Sequence, residues 1–346
     1  LSDRYGRRRL VLIGTALFAF MPFVYLLVRT PGQLLLVRLV HGFATAIYGP
    51  VVAALVADLF VRRRAERMGW YRSARTASYL LGPLLGGIVL LLGDFRLAWA
   101  IVGLFGLVAF LPALALPRSR GTGAFAGGQE PPRTAVFIRR QLSGTFRNPA
   151  LLTLGLVQAA LYLGLRASDT ALPLYARSIG LNTAWIGAIL SIQVAATLLS
   201  QPVAGRLADR FGRGLMIGVG LLLVGGALPL MFAADGLPRF ALAGIALGLG
   251  EAAIGPAVAT LGTELSDGGN YGATLGMLDA MDNVGKAAGP VLAGLLLGPF
   301  GLGYLTTFTI IAGLLVAMAA VSWLRARDLE RESLPGAERR GVGHGA

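Results

Sequence analysis

Ten runs of about 20 apolar residues, separated by short polar breaks, fill most of this chain and dictate what it can fold into. They lie near 10–28, 33–57, 73–93, 97–116, 150–172, 183–204, 215–234, 239–263, 274–298 and 302–324. Each is long enough to cross the hydrocarbon core of a bilayer as a helix. A segment alone in hydrocarbon must satisfy its own backbone hydrogen bonds, so helices are expected throughout. A β-barrel would need alternating ten-residue strands, and that pattern is absent from the sequence. With 55% hydrophobic and 14% charged residues, the chain is far too apolar for one soluble core.

The net charge of +14 would point to nucleic acid in a soluble protein, but the placement of the charge argues otherwise. Arg4, Arg7, Arg8 and Arg9 precede the first run, and Arg62, Arg63, Arg64, Arg67, Arg72 and Arg75 separate the second from the third. The alternate breaks are nearly bare: Asp94 offsets Arg96, Asp235 faces Arg239, and Gly298 to Gly303 carries no charge. This is the positive-inside pattern. It predicts a multi-pass protein of the plasma (inner) membrane with both termini in the cytoplasm, and no role in nucleic-acid binding. The sequence has no cysteine and only two histidines, His41 and His344, so neither a disulfide nor a His-based metal site is expected. Arg7 to Arg9 before an apolar run imitates a signal peptide, but the run is long, no cleavage site follows, and nine more runs come after it.

Residues 117–149 form the one long interruption, rich in Gly, Pro and Arg. We expect a cytoplasmic linker there, with 1–116 and 150–325 as two bundles and 326–346 as a tail. Within the linker, Phe137, Ile138, Leu142 and Phe146 alternate with Arg139, Arg140 and Arg147. That pattern suits a helix lying on the lipid surface, or equally a tether.

The two bundles repeat each other. Leu1-Ser2-Asp3-Arg4-Tyr5-Gly6-Arg7 returns 206 positions later as Leu207-Ala208-Asp209-Arg210-Phe211-Gly212-Arg213, and Gly49-Pro50 returns as Gly255-Pro256. Gly82-Pro83 and Gly86-Gly87 return, one position further on, as Gly289-Pro290 and Ala293-Gly294. The copies run in the same direction, so the halves are parallel repeats about an axis along the membrane normal. That arrangement leaves a cleft in which alternating access can operate.

These marks resemble the major facilitator superfamily, whose members have twelve helices in two six-helix halves. Gly205 to Arg213 matches the family's Gly-x-Leu-Ala-Asp-Arg-x-Gly-Arg loop in full. The first copy of that loop starts within the motif at Leu1, so the resemblance implies that family helices one and two are missing ahead of Leu1 and that the ten runs are helices three to twelve. It further implies a conformational latch at Asp3, Arg4, Gly6, Arg7, Asp209, Arg210, Gly212 and Arg213; topogenic charge alone is the other reading of those residues. Arg38 followed by His41-Gly42 resembles the family's arginine motif of helix four, with His41 where Gln is usual. Gly82, Pro83, Gly86 and Gly87, with Gly289 and Pro290 in the other half, resemble the glycine-proline motif of exporters. Small residues on one helix face let a neighbour approach closely.

Polar groups inside spans are costly and usually functional, a central carboxylate costing about 2.5–3.5 kcal/mol on insertion scales. Glu251, mid-run among Gly and Ala, is the first choice for coupling or solute binding, with Arg38, Arg166, Asp279, Asp282 and Lys286 as further candidates. Asp282 and Lys286, at i and i+4, can form a pair, and Arg166 and Asp169 another. Gln158, Gln193 and Gln201 are hydrogen-bonding candidates if they face the cleft. The expected function is secondary active transport, as proton-coupled export of small amphipathic molecules that uses no cofactor. Uptake of a sugar or organic acid, an inert fragment, and a polytopic membrane enzyme are the competing readings. No cluster of catalytic groups supports the last.

Overall fold

The computed structural model describes residues 7–59, 64–116, 148–233, 235–266 and 271–325. Among them are ten α-helices: α1 Arg7–Tyr25, α2 Pro31–Leu59, α3 Arg64–Leu92, α4 Phe95–Leu114, α5 Pro149–Ser178, α6 Thr183–Phe211, α7 Arg213–Phe232, α8 Leu237–Glu264, α9 Tyr271–Leu297 and α10 Tyr304–Leu324. Eight are long and apolar enough to cross a membrane, judged over the described residues. The charged set Asp279, Asp282 and Lys286 dilutes the apolar character of α9.

Helix ends differ from the expected run limits where polar residues continue the helix past the apolar stretch. The run expected to stop at 172 continues to Ser178, and that expected to stop at 204 continues through the arginine-rich loop to Phe211. Side-chain caps fix several starts. Asn148 accepts from the Ala150 and Leu151 amides ahead of α5, Asn182 accepts from the Trp185 amide ahead of α6, and Asp94 accepts from the Arg96 and Leu97 amides ahead of α4. The expected linker surface helix, 134–147, lies outside the described residues.

The chain divides into two compact units, Leu1–Pro131 and Pro132–Ala346. In unit 1, α1 packs on α2 and on α4. Gly106 of α4 comes so close to α1 that a Cβ there would lie 2.7 Å from the Ala19 Cα. The core of this unit is small, built on Val11 and Leu55 with Leu10, Tyr48, Val52 and Leu116 against them. On α3, Gly87 is the one buried position among those whose exposure is described.

Unit 2 has a continuous core that runs from Ala150 to Ala319. The main pairings are α5 with α9, α6 with α8, α7 with α8, and α7 with α10. Phe232 stacks on Phe308 with centroids 3.7 Å apart, and Tyr175 and Tyr304 extend this aromatic cluster. Glycines let the backbones meet. A Cβ on Gly285 would lie 2.2 Å from the Ala159 carbonyl oxygen, and one on Gly289 2.4 Å from that of Leu163, so α5 and α9 run side by side in the same direction. α8 is held on both flanks. A Cβ on Gly248 would lie 2.4 Å from the Gln193 carbonyl oxygen of α6, and one on Gly250 2.7 Å from the Gly220 carbonyl oxygen of α7.

Candidate functional site

Glu251 stands next to Gly250, near the middle of α8. The tight seating of Gly248 on α6 brings Thr197 alongside, with its hydroxyl 3.2 Å from Glu251 Oε2. The same hydroxyl lies 3.1 Å from the Gln193 carbonyl oxygen. Thr197 Oγ1 carries one hydrogen and two lone pairs, so it can serve either protonation state of Glu251. Facing a carboxylate it donates; facing a carboxylic acid it accepts and gives its own hydrogen to the Gln193 carbonyl. The Thr197 hydroxyl can thus keep its hydrogen bond to Glu251 with the carboxyl group in either form.

The neighbouring helices bring charge to this point. On α5, Gln158, Tyr162, Arg166 and Asp169 follow helical spacing along one stripe. Arg166 Nη1 donates to Asp169 Oδ2 at 2.5 Å. On α9, Lys286 Nζ lies 3.7 Å from Asp282 Oδ2 and 4.2 Å from the centroid of the Tyr162 ring. The Arg166 guanidinium carbon lies 6.0 Å from the same centroid. Tyr162 therefore holds two cations by its ring and joins the α5 and α9 pairs into one assembly. Glu251 is within electrostatic reach of both Arg166 and Lys286, and Asp169 within that of Arg166 and Glu251. Counting Asp279, four carboxylates share this region with two cations.

Two acceptors in the assembly are buried with no hydrogen-bond partner among the described residues, Gln158 Oε1 and Asp282 Oδ1. An unmet buried acceptor is a site where a donor on a solute, a water or a proton gains most. The other glutamines divide: Gln193 is buried and Gln201 exposed. Among the described residues, no group of His, Asp and Glu could hold a metal ion.

Of the residues singled out in the sequence, Glu251, Arg166, Asp282 and Lys286 come together in unit 2, with the half-buried Asp282 and the exposed Asp279 on α9. Arg38 belongs to unit 1, where it lies over the Tyr25 ring at 5.5 Å. Thr197 and Tyr162 are not among the residues singled out. A threonine in an apolar run carries no signal until its helix partner is known, and a lone tyrosine reads as packing.

The arginine-rich loops are partly visible. Asp3, Arg4 and Gly6 lie outside the described residues, and Arg7 opens α1. In the second copy Gly212 has φ 98°, a conformation that favours glycine, and this makes the turn from α6 into α7. Arg213 pairs with Glu264 at the end of α8 and lies 3.6 Å from Asp209, while Arg210 lies over the Phe211 ring. Of the glycine-proline positions, Gly289 packs α9 on α5 and Pro290 sits inside α9, whereas a Cβ on Gly82 or Gly86 would meet nothing within 4 Å among the described residues. Pro83 sits inside α3 without ending it. Close helix approach is realised at Gly289 of α9 and not at Gly82 or Gly86 of α3, because no described helix lies against those two glycines.

Comparison with known proteins agrees with this architecture. The chain is 28% identical over 351 residues to the multidrug resistance protein MdtG of Citrobacter koseri, covering 96% of this chain and 81% of that protein. It is 24% identical over 300 residues to the quinolone resistance protein NorA of Staphylococcus aureus, covering 86% and 75%. The fold is shared with an inward-facing bacterial homologue of the human lysosomal transporter Spinster, at TM-score 0.74, 16% identity and coverage of 97% and 86%. It is also shared with the peptide transporter POT in complex with alafosfalin, at TM-score 0.74, 17% identity and coverage of 95% and 81%. The family model of the Major Facilitator Superfamily matches residues 1–184 and 154–343. With ten helices among its described residues, a sequence repeated in parallel and a family match along its length, the chain is a multi-pass integral membrane protein that belongs to the Major Facilitator Superfamily of solute transporters.

Proposed function

We propose that this transporter exports small amphipathic molecules, cations among them, and that Glu251 binds the proton that drives the exchange. The observation that carries this reading is the seat of Glu251: a mid-helix carboxylate beside a hydroxyl able to donate or accept, within reach of Arg166 and Lys286. Four carboxylates against two cations favour a positively charged guest, proton or solute. The unmet Gln158 and Asp282 oxygens supply acceptors for a donor-bearing solute. The similarity to MdtG and NorA supports export as the direction.

In this reading the arginine-rich breaks and both ends of the chain lie on the cytoplasmic side, in keeping with the charge alternation. The pairing of Arg213 with Glu264 and Asp209 then serves as a cytoplasmic latch, tying the α6–α7 turn to the end of α8 and opening as the transporter changes state.

The test is efflux of a fluorescent cationic dye from proteoliposomes under an imposed proton gradient, with Glu251→Gln alongside. Proton-dependent efflux that falls about tenfold or more in the variant is the expected result. Efflux that survives collapse of the gradient, or that is equal in both proteins, overturns it. A protein that moves no dye but accumulates a polar solute favours uptake instead.

A further inference from the structure

Unit 1 holds a second polar assembly, independent of the site on Glu251. Tyr25, at the end of α1, is 6% exposed and stacks on Trp99 of α4, with centroids 4.2 Å apart and ring planes at 11°. Its hydroxyl lies 3.3 Å from His41 Nδ1 on α2. The Arg38 guanidinium, one turn earlier on α2, lies over the same tyrosine ring. Phe18 of α1 meets the imidazole edge to face at 5.3 Å. Tyr25 therefore touches the histidine through its hydroxyl and the arginine through its ring, while Trp99 fixes the ring from the other helix.

The chemistry of the two contacts is linked. A neutral imidazole with an unprotonated Nδ1 accepts the Tyr25 hydrogen. A protonated imidazole has donors at both nitrogens, so Nδ1–H must donate to the tyrosine oxygen and the phenol hydrogen must turn away. Protonation also places a second cation three residues from Arg38, on the same face of one helix. Donation to the phenol oxygen draws electron density from the ring that attracts Arg38, and the two cations repel. Both effects act in one direction. Among the described residues Arg38 is the charged group that acts on His41; α1 faces it with Tyr25 and Phe18, and α4 backs Tyr25 with Trp99.

We infer that His41 and Tyr25 are positioning residues that tie the placement of Arg38 to the protonation of His41. With His41 neutral, Arg38 rests on the Tyr25 ring; with His41 protonated, it is released into the surroundings of α2, where it is already exposed. The glutamine usual at this position could not do this, since an amide does not titrate in the working range. Unit 1 thus gains a proton-responsive cation of its own, whatever solute the protein carries.

The sequence makes the test direct, because His41 and His344 are its two histidines. The full chain carrying His344→Gln, with nitrogen-15 in its histidine ring, leaves His41 as the one signal in nanodiscs. The imidazole nitrogens are followed from about pH 5 to pH 8. We expect one transition, a neutral tautomer with Nδ1 as acceptor, a changed tautomer balance in Tyr25→Phe, and a displaced midpoint in Arg38→Gln. A signal that does not move with pH overturns the inference, as do curves that coincide with and without Arg38. So does a spectrum indifferent to Tyr25→Phe, a change that retains the ring and its stacking. The signal reads His41 alone, so the outcome stands whether or not the dye is exported.

Discussion

The two units are built from one repeated sequence plan but hold their helices differently. In unit 2 the glycines of α8 and α9 are pressed against neighbouring backbones, at ideal Cβ distances of 2.2–2.4 Å for Gly285, Gly289 and Gly248. In unit 1 a Cβ on Gly82, the counterpart of Gly289, or on Gly42, the counterpart of Gly248, would meet nothing within 4 Å among the described residues. Lipid is as apolar as leucine, so helices in a membrane gain little by hiding apolar surface from it and rely on close packing instead. A glycine-proline motif therefore permits tight contact but does not create it; a partner helix at the right height is also required. The charges diverge as well. Arg38 of α2 corresponds by the 206-residue offset to Gly244 of α8, and Glu251 to Thr45. Each unit has a charge on the equivalent helix, of opposite sign and offset along the repeat by a length of helix of about 10 Å.

The largest expected effect tests the packing difference. Gly285→Val or Gly289→Val forces a branched side chain into the α5 backbone, and overpacking of this kind costs about 3 kcal/mol. We expect either variant to lose its monodisperse peak in detergent at markedly lower temperature than the parent. Gly82→Val should stay within about 0.5 kcal/mol of the parent. A comparable loss at Gly82 would break the comparison and mean that the α3 glycines are covered in the folded protein.

Much of this was legible in the sequence because its causes are local or periodic. Ten apolar runs and the parallel repeat follow from hydropathy and offset alone, and intramembrane charge pointed to Glu251, Asp282 and Lys286 without any contact being known. The Arg166–Asp169 and Asp282–Lys286 pairs could be read because they are i, i+3 and i, i+4 neighbours on one helix. What could not be read depends on how helices are rotated and which ones adjoin. Thr197 reaches Glu251 across 54 residues of sequence, and Tyr162 meets Lys286 only because Gly285 and Gly289 let α9 lie on α5. Tyr25 meeting His41 across the α1–α2 turn belongs with these. Helix ends ran past the apolar limits at Ser178 and Phe211 because hydropathy marks the lipid boundary, not the last hydrogen-bonded turn.

An intermediate effect tests the chemistry at Glu251. Thr197→Val keeps the shape of the side chain but removes the hydroxyl, a loss of about 1 kcal/mol for one hydrogen bond. If that bond is made more strongly in one protonation state than the other, dye efflux should slow about fivefold with thermal stability little changed. Serine at the same position restores the hydroxyl and should restore the rate. Equal efflux in all three proteins would reduce Thr197 to a packing residue and leave unit 2 with a carboxylate held by charge alone.

The smallest effect sharpens the comparison at the loops. Arg213 has two acidic partners in different settings: Glu264 is 34% exposed and comes from another helix, whereas Asp209 is 73% exposed and lies 3.6 Å away within the same loop. An exposed pair contributes about 0.2–1 kcal/mol and is screened by salt. A double-mutant cycle on thermal stability should therefore give a coupling near the top of that range for Arg213→Gln with Glu264→Gln, and close to none for Arg213→Gln with Asp209→Asn. Raising the salt should shrink the first and leave the second unmoved. Arg7 and Asp58 occupy the positions of Arg213 and Glu264 in the first repeat. If the repeat extends to this ion pair, Arg7→Gln with Asp58→Asn will couple to the same extent. If it does not, the two units differ at the loop as they do at the glycines, and the ion pair belongs to unit 2.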